Sequence, residues 1–125
     1  MQVFLVEDSA AIRERVAAML EAMPNAKLVG HAADADGAIR DILAGCPDVV
    51  LLDISLAAGS GFDVLRAVRP QAPQIDFYML SNVSAYPYRQ LAEALGVRGF
   101  FDKSTQFEHV RELIAARAGA EAGAP

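Results

Sequence analysis

Val49-Val50-Leu51-Leu52-Asp53 sets an uninterrupted apolar run against a single carboxylate. A short run apolar on consecutive positions, rather than on alternate ones, reads as a strand buried on both faces, as in a parallel sheet covered by helices. Asp53 then stands at the carboxyl end of that strand. Working outward, similar short runs occur at Val3–Val6, Leu28–His31, Phe77–Leu80 and Gly99–Phe101. Each is followed by a stretch whose apolar residues recur at steps of three and four. The stripe is clearest at Ile12, Val16, Met19, Leu20 and Met23, and again at Phe107, Val110, Leu113 and Ile114. Weaker stripes run through Ile39, Ile42 and Leu43, through Phe62, Leu65 and Val68, and through Leu91, Ala92 and Leu95. Ser9 is placed to cap the first helix and Ser84 the fourth. Ser60 with Asp63, and Thr105 with Glu108, have capping-box spacing or its close relative. The expectation is an α/β, three-layer fold in which five strands alternate with five helices.

The chain has 125 residues, 54% hydrophobic and 22% charged, which is the composition of one packed domain. Its formal net charge of -5, with no cluster of Lys and Arg, argues against gripping a phosphate backbone, so direct DNA binding is not expected. The start Met1-Gln2-Val3-Phe4-Leu5-Val6-Glu7 lacks the basic and long apolar segments of a signal peptide. No apolar run approaches the roughly 20 residues of a membrane span, so the reading is a cytoplasmic protein without membrane contact. The lone Cys46 reads as a small packing residue. His31 and His109 lack partners at metal-ligand spacing, and Arg13, Arg15, Arg111 and Arg117 read as solvated helix faces.

In open α/β sheets the ligand site lies beyond the carboxyl ends of the strands. There the sequence offers Glu7-Asp8 after the first strand, Asp53 after the third, Ser81 after the fourth and Lys103 after the fifth. Polar residues commonly follow buried strands simply because loops are solvated. Their combination points further. Converging carboxylates need a proton or a cation, and an all-oxygen site with room for water suits Mg²⁺. A carboxylate is also a nucleophile toward phosphorus, and an ammonium with a hydroxyl opposite would steady the transferred oxygens. A flavin-carrier reading fares poorly, because Val6-Glu7-Asp8-Ser9 puts acids where an anionic cofactor needs a Gly-rich cradle.

These motifs resemble the receiver domains of two-component response regulators over about residues 2–117: Val6-Glu7-Asp8-Ser9, Val49–Asp53, Gly59-Ser60-Gly61, Leu80-Ser81, and Gly99-Phe100-Phe101-Asp102-Lys103. The resemblance implies a flavodoxin-like sheet of order 2-1-3-4-5, with residues 1–118 as the receiver; residues 119–125, Ala, Gly, Glu and Pro without periodicity, should be a disordered tail. It implies Asp53 as phosphoacceptor, with Ser81 and Lys103 reading the phosphoryl group. Mg²⁺ would be held by Glu7, Asp8, Asp53 and the Ser55 backbone carbonyl. Phe100 would be the switch aromatic, and the face carrying Tyr86, Tyr88 and Arg89 the output surface. A stand-alone bacterial receiver follows, which is not an enzyme beyond catalysing its own phosphorylation and dephosphorylation. Its partners would be a sensor histidine kinase or phosphotransfer protein and a downstream protein target, and it would homodimerise through helix 4, strand 5 and helix 5. The alternative is a non-cycling scaffold or phosphate sink. Four positions depart from the family pattern. Glu7 stands for the commoner Asp, Ala57 for a frequent Pro, and Asn82 for a smaller residue, so that the pocket should narrow. Ser104 stands for the usual Pro, so the loop carrying Lys103 should be freer.

Overall fold

Alternate residues of a strand point to opposite sides of the sheet, so the two continuous apolar strands at the centre of this molecule must be covered twice. The computed structural model describes residues 1–82 and 86–122. Its elements are β1 (Gln2–Val6), α1 (Ala10–Glu21), β2 (Lys27–Ala32), α2 (Ala35–Gly45), β3 (Val49–Leu52), α3 (Gly61–Val68), β4 (Asp76–Ser81), α4 (Tyr86–Ala94), β5 (Gly99–Asp102) and α5 (Phe107–Ala122). The strands form one parallel sheet in the order β2-β1-β3-β4-β5. On one face Val3, Leu5, Val49, Leu51, Tyr78 and Leu80 pack with Val16 and Leu20 of α1 and with Val110 and Ile114 of α5. On the other, Phe4, Val6, Val50, Leu52, Phe77 and Met79 pack with Ile42 of α2, Leu65 and Val68 of α3, and Ala92 of α4. The predicted three layers and strand order hold. The strand runs read from sequence fall within the observed strands.

Caps explain where several helices begin. Ser9 accepts the Ile12 amide at the start of α1, and Ser60 and Asp63 form a reciprocal capping box at the start of α3. Asp34, overlooked in the sequence, caps α2 through the Gly37 amide at 2.7 Å. The Thr105–Glu108 box does not form. Instead Asp102 Oδ1 accepts from the Ser104 amide, the Ser104 hydroxyl and the Thr105 amide, while Gln106 Oε1 accepts from the Asp102 amide. A carboxylate that satisfies three donors at once removes the need for a Thr cap.

α5 runs to Ala122; alanine and glutamate sustain a helix through one glycine at a cost of about 1 kcal/mol. Two further expectations are corrected. Cys46 is exposed rather than packed, because it ends α2 in the left-handed conformation, φ 46°, and turns outward before Pro47. The arginines are not all merely solvated: Arg13 donates to the Glu7 carbonyl at 3.1 Å, Arg15 sits 3.9 Å over the Phe107 ring, and Arg117 pairs with Asp76. The expected cap Ser84 lies outside the described residues. No helix among the described residues is long and apolar enough to cross a membrane.

Candidate phosphoacceptor site

The chain passes from β1 to the sheet edge at β2, then returns to β3 on the other side of β1, which opens a crevice between the carboxyl ends of β1 and β3. Backbone pairing fixes what lines it. Val6 stands opposite Leu52, and the Asp53 amide donates to the Val6 carbonyl at 3.0 Å. This brings the residues following the two strands together: Glu7, Asp8 and Asp53 each offer a carboxylate oxygen within 4.8 Å of the others. Likewise Ser81 stands opposite Asp102, and the Lys103 amide donates to the Ser81 carbonyl at 3.1 Å. A cleft of about 380 Å³ results, lined by Glu7, Asp8, Ser9, Ile12, Asp53, Ser55, Ser81, Asn82 and Lys103.

Within it, Glu7, Asp53, Ser81 and Lys103 are buried, whereas Asp8 and Asn82 are exposed. Asp53 Oδ1 accepts the Ile54 amide at 2.7 Å, and Oδ2 accepts from Lys103 Nζ at 2.7 Å. The same ammonium reaches Glu7 Oε2 at 2.5 Å, while Glu7 Oε1 accepts the Ser9 amide at 3.0 Å. One cation thus bridges two buried anions. Burial drives the Glu7 carboxyl above its ordinary value, the Asp53 charge adds to this, and the bonds from Lys103 and Ser9 offset only part. Burial alone would lower the Lys103 ammonium, but its hydrogen bonds to Asp53 and Glu7 win and hold it above its ordinary value. The donors facing the open cleft are all oxygen, which is the chemistry of a hard divalent cation with retained water.

The loop after β3 is shaped around Asp53. Gly61, which opens α3, comes so close to the Asp53 carbonyl that a Cβ built there would lie 2.2 Å from it. Gly59 adopts φ +78°, open to glycine at little cost, and Ser55 pairs across the loop with Ser60. Ser55 is among the residues that line the cleft. The loop after β5 is tied rather than free, since the Ser104 amide that a proline would lack donates to Asp102 at 2.8 Å.

Farther out, Phe100 is buried, with the Arg89 guanidinium 5.2 Å over its ring. Tyr88 is 43% exposed and stacks on Phe62 of α3, ring centroids 6.2 Å apart. Tyr86 begins α4, and its side chain lies outside the described parts. The sequence reading missed Arg13, which holds the backbone of Glu7, and Phe62, which touches the α4 surface. A helix-stripe position conceals the second, and only the six-residue gap to Glu7 hinted at the first.

The response regulator receiver domain family matches residues 3–115, and the chain belongs to that family. Among curated relatives, a protein-glutamate methylesterase/protein-glutamine glutaminase of Anaeromyxobacter dehalogenans is 31% identical over 98% of this chain and 36% of its own length. Another from Geobacter sulfurreducens is 37% identical over 58% of this chain and 20% of its own. The chain therefore spans a fifth to just over a third of these relatives' lengths. Of solved structures, the NarL receiver domain of Mycobacterium tuberculosis superposes with TM-score 0.84 at 26% identity, covering 94% of this chain and 95% of that one. A chain of the CheX-CheY-BeF3-Mg²⁺ complex from Borrelia burgdorferi superposes with TM-score 0.85 at 18% identity, covering 94% and 88%.

Proposed function

We propose that the chain accepts a phosphoryl group on Asp53, in a Mg²⁺-dependent reaction, from a sensor histidine kinase or phosphotransfer protein in a bacterial cytoplasm. The observation that carries this reading is Lys103 Nζ 2.7 Å from the buried Asp53 carboxylate, with two further carboxylates within 4.8 Å in an open cleft. An Asp53 carboxylate oxygen forms a bond to phosphorus as the bond from phosphorus to the donor atom breaks, the electron pair leaving with the donor. Asp8 and Asp53, with the Ser55 carbonyl, would hold Mg²⁺, which when bound supplies positive charge to the transferred oxygens. Lys103 contributes charge from the opposite side, and the Ser81 hydroxyl donates to a phosphoryl oxygen. Asn82, lining the mouth, narrows the path for donor and attacking water, so cycling is slow; a non-cycling scaffold is the reading this one feature favours.

Output leaves as altered protein binding at the face of α4, β5 and α5, the same face that would serve a homodimer. The sequence carries no Lys/Arg cluster of the kind that grips a phosphate backbone, and the methylesterase relatives show that receivers of this family also occur within longer chains. Incubation with Mg²⁺ and an acyl phosphate tests the proposal. One phosphoryl should be added per chain, and none when Mg²⁺ is chelated.

A further inference from the structure

Asp102 immediately precedes Lys103 but is not among the residues that line the cleft. Its carboxylate is turned to the loop that follows: Oδ1 accepts the Ser104 amide at 2.8 Å, the Ser104 hydroxyl at 2.6 Å and the Thr105 amide at 3.2 Å. Its backbone is held as well. The Asp102 amide donates to Gln106 Oε1 at 2.8 Å, and the Gln106 amide donates to the Asp102 carbonyl at 2.9 Å. Lys103 sits inside this ring of hydrogen bonds, its own amide donating to the Ser81 carbonyl at 3.1 Å and its Nζ reaching Asp53 Oδ2 at 2.7 Å. A lysine stem is long and flexible, so where the ammonium arrives depends on where its backbone is fixed. A proline at position 104 would offer Asp102 neither amide nor hydroxyl; the clasp depends on the serine that stands there.

We infer that Asp102 is a positioning residue for phosphoryl transfer, acting through Lys103. Its Oδ1 sets the turn out of β5, and with it the point from which Lys103 reaches the Asp53 carboxylate. Shape carries the effect rather than charge. The Asp102 oxygen works by accepting three donors at one place, which a neutral amide oxygen on the same short stem reproduces. A glutamate keeps the charge but carries the carboxylate about 1.5 Å farther out, away from the Ser104 and Thr105 donors. This rests on the reading of Asp53 as the acceptor with Lys103 beside the transferred oxygens, and the test separates the two.

Wild type, Asp102→Asn, Asp102→Glu and Asp102→Ala are compared by intact mass over time with Mg²⁺ and an acyl phosphate. Asp102→Asn should react at close to the wild-type rate. Asp102→Glu and Asp102→Ala should be slower by roughly ten- to a hundredfold at saturating donor, the scale of a small misplacement of a catalytic group. Their half-saturating donor concentrations should stay within about twofold of wild type, as when an interaction of the transition state alone is lost. In the metal-free proteins the buried Lys103 ammonium should give a proton–nitrogen correlation in wild type and Asp102→Asn, and lose it in Asp102→Glu. Asp102→Glu that matches wild type while Asp102→Asn fails would make the residue an electrostatic partner and overturn the inference. So would variants whose unfolding midpoint falls while rate and ammonium signal are unchanged, since that is a turn of structural value only. Should Asp102→Ala not fold, the Asn and Glu pair decides. A wild type that acquires no phosphoryl group contradicts the proposed function instead, and the ammonium comparison still judges whether Asp102 positions Lys103.

Discussion

Lys103 is the residue on which the site's electrostatics turn, because removing one partner of a buried ionic group leaves uncompensated charge. Lys103→Met strands Glu7 and Asp53 beside each other and should cost roughly 3–5 kcal/mol at neutral pH. The folded-state Lys103 value lies above the ordinary 10.5, so its contribution is complete below that pH and disappears as pH rises through the folded value. For Glu7, raised above the ordinary 4.5, ionisation works against the fold, so stability from this group falls as pH rises through its folded value. Without Lys103 that opposition grows. Urea unfolding of Lys103→Met should therefore show a deficit that shrinks on acidification or on adding Mg²⁺, and a deficit unchanged by either would contradict the bridged-anion account. Asn82 carries a kinetic prediction. Asn82→Ala should speed phosphorylation or dephosphorylation a few-fold, on the order of 1 kcal/mol in barrier, as followed by intact mass over time. Equal rates would show that its position at the mouth of the cleft is immaterial.

At the scale of elements, the turn from β3 into α3 couples fold to site. Gly61→Ala places a methyl carbon against the Asp53 carbonyl, and because backbone cannot yield as a side-chain tip can, the cost should reach the upper part of the roughly 1–3 kcal/mol range for overpacking. Thermal unfolding measures it, and a loss below about 0.5 kcal/mol would show that the α3 entry adjusts freely. The strands were legible because four consecutive apolar residues such as Val49–Leu52 leave little alternative to a doubly covered strand. Asp53, Asp8 and Lys103 were legible because strand-end positions converge once the strand order is fixed. What stayed hidden depends on contacts between distant segments: the Asp34 cap, the Asp102 turn that replaces the Thr105 box, and the Phe62–Tyr88 stack. Ser104 is instructive. Its difference from proline suggested a freer loop, yet the amide it retains ties that loop to Asp102.

For the whole molecule, a signal generated at Asp53 reaches a partner only if the two states differ at the surface. A phosphoryl group adds about −1.5 to −2 charges at a site already buried and acidic. Phosphorylation and partner binding must then favour each other equally. Phe100 already lies buried beneath Arg89, so the response should appear as tightened packing around it rather than as a large excursion. Amide exchange with a phosphoryl mimic plus Mg²⁺ should slow at Gly99–Ser104 and at Tyr88 and Arg89, as well as around Asp53. Changes confined to the Asp53 pocket would favour a phosphate sink. All of this presupposes that Asp53 is the acceptor, and the intact mass of the whole chain after incubation with Mg²⁺ and an acyl phosphate tests that most directly. Wild type should gain a single phosphoryl group and Asp53→Ala none; a gain that persists in Asp53→Ala, or a wild type that stays unmodified, would contradict the account.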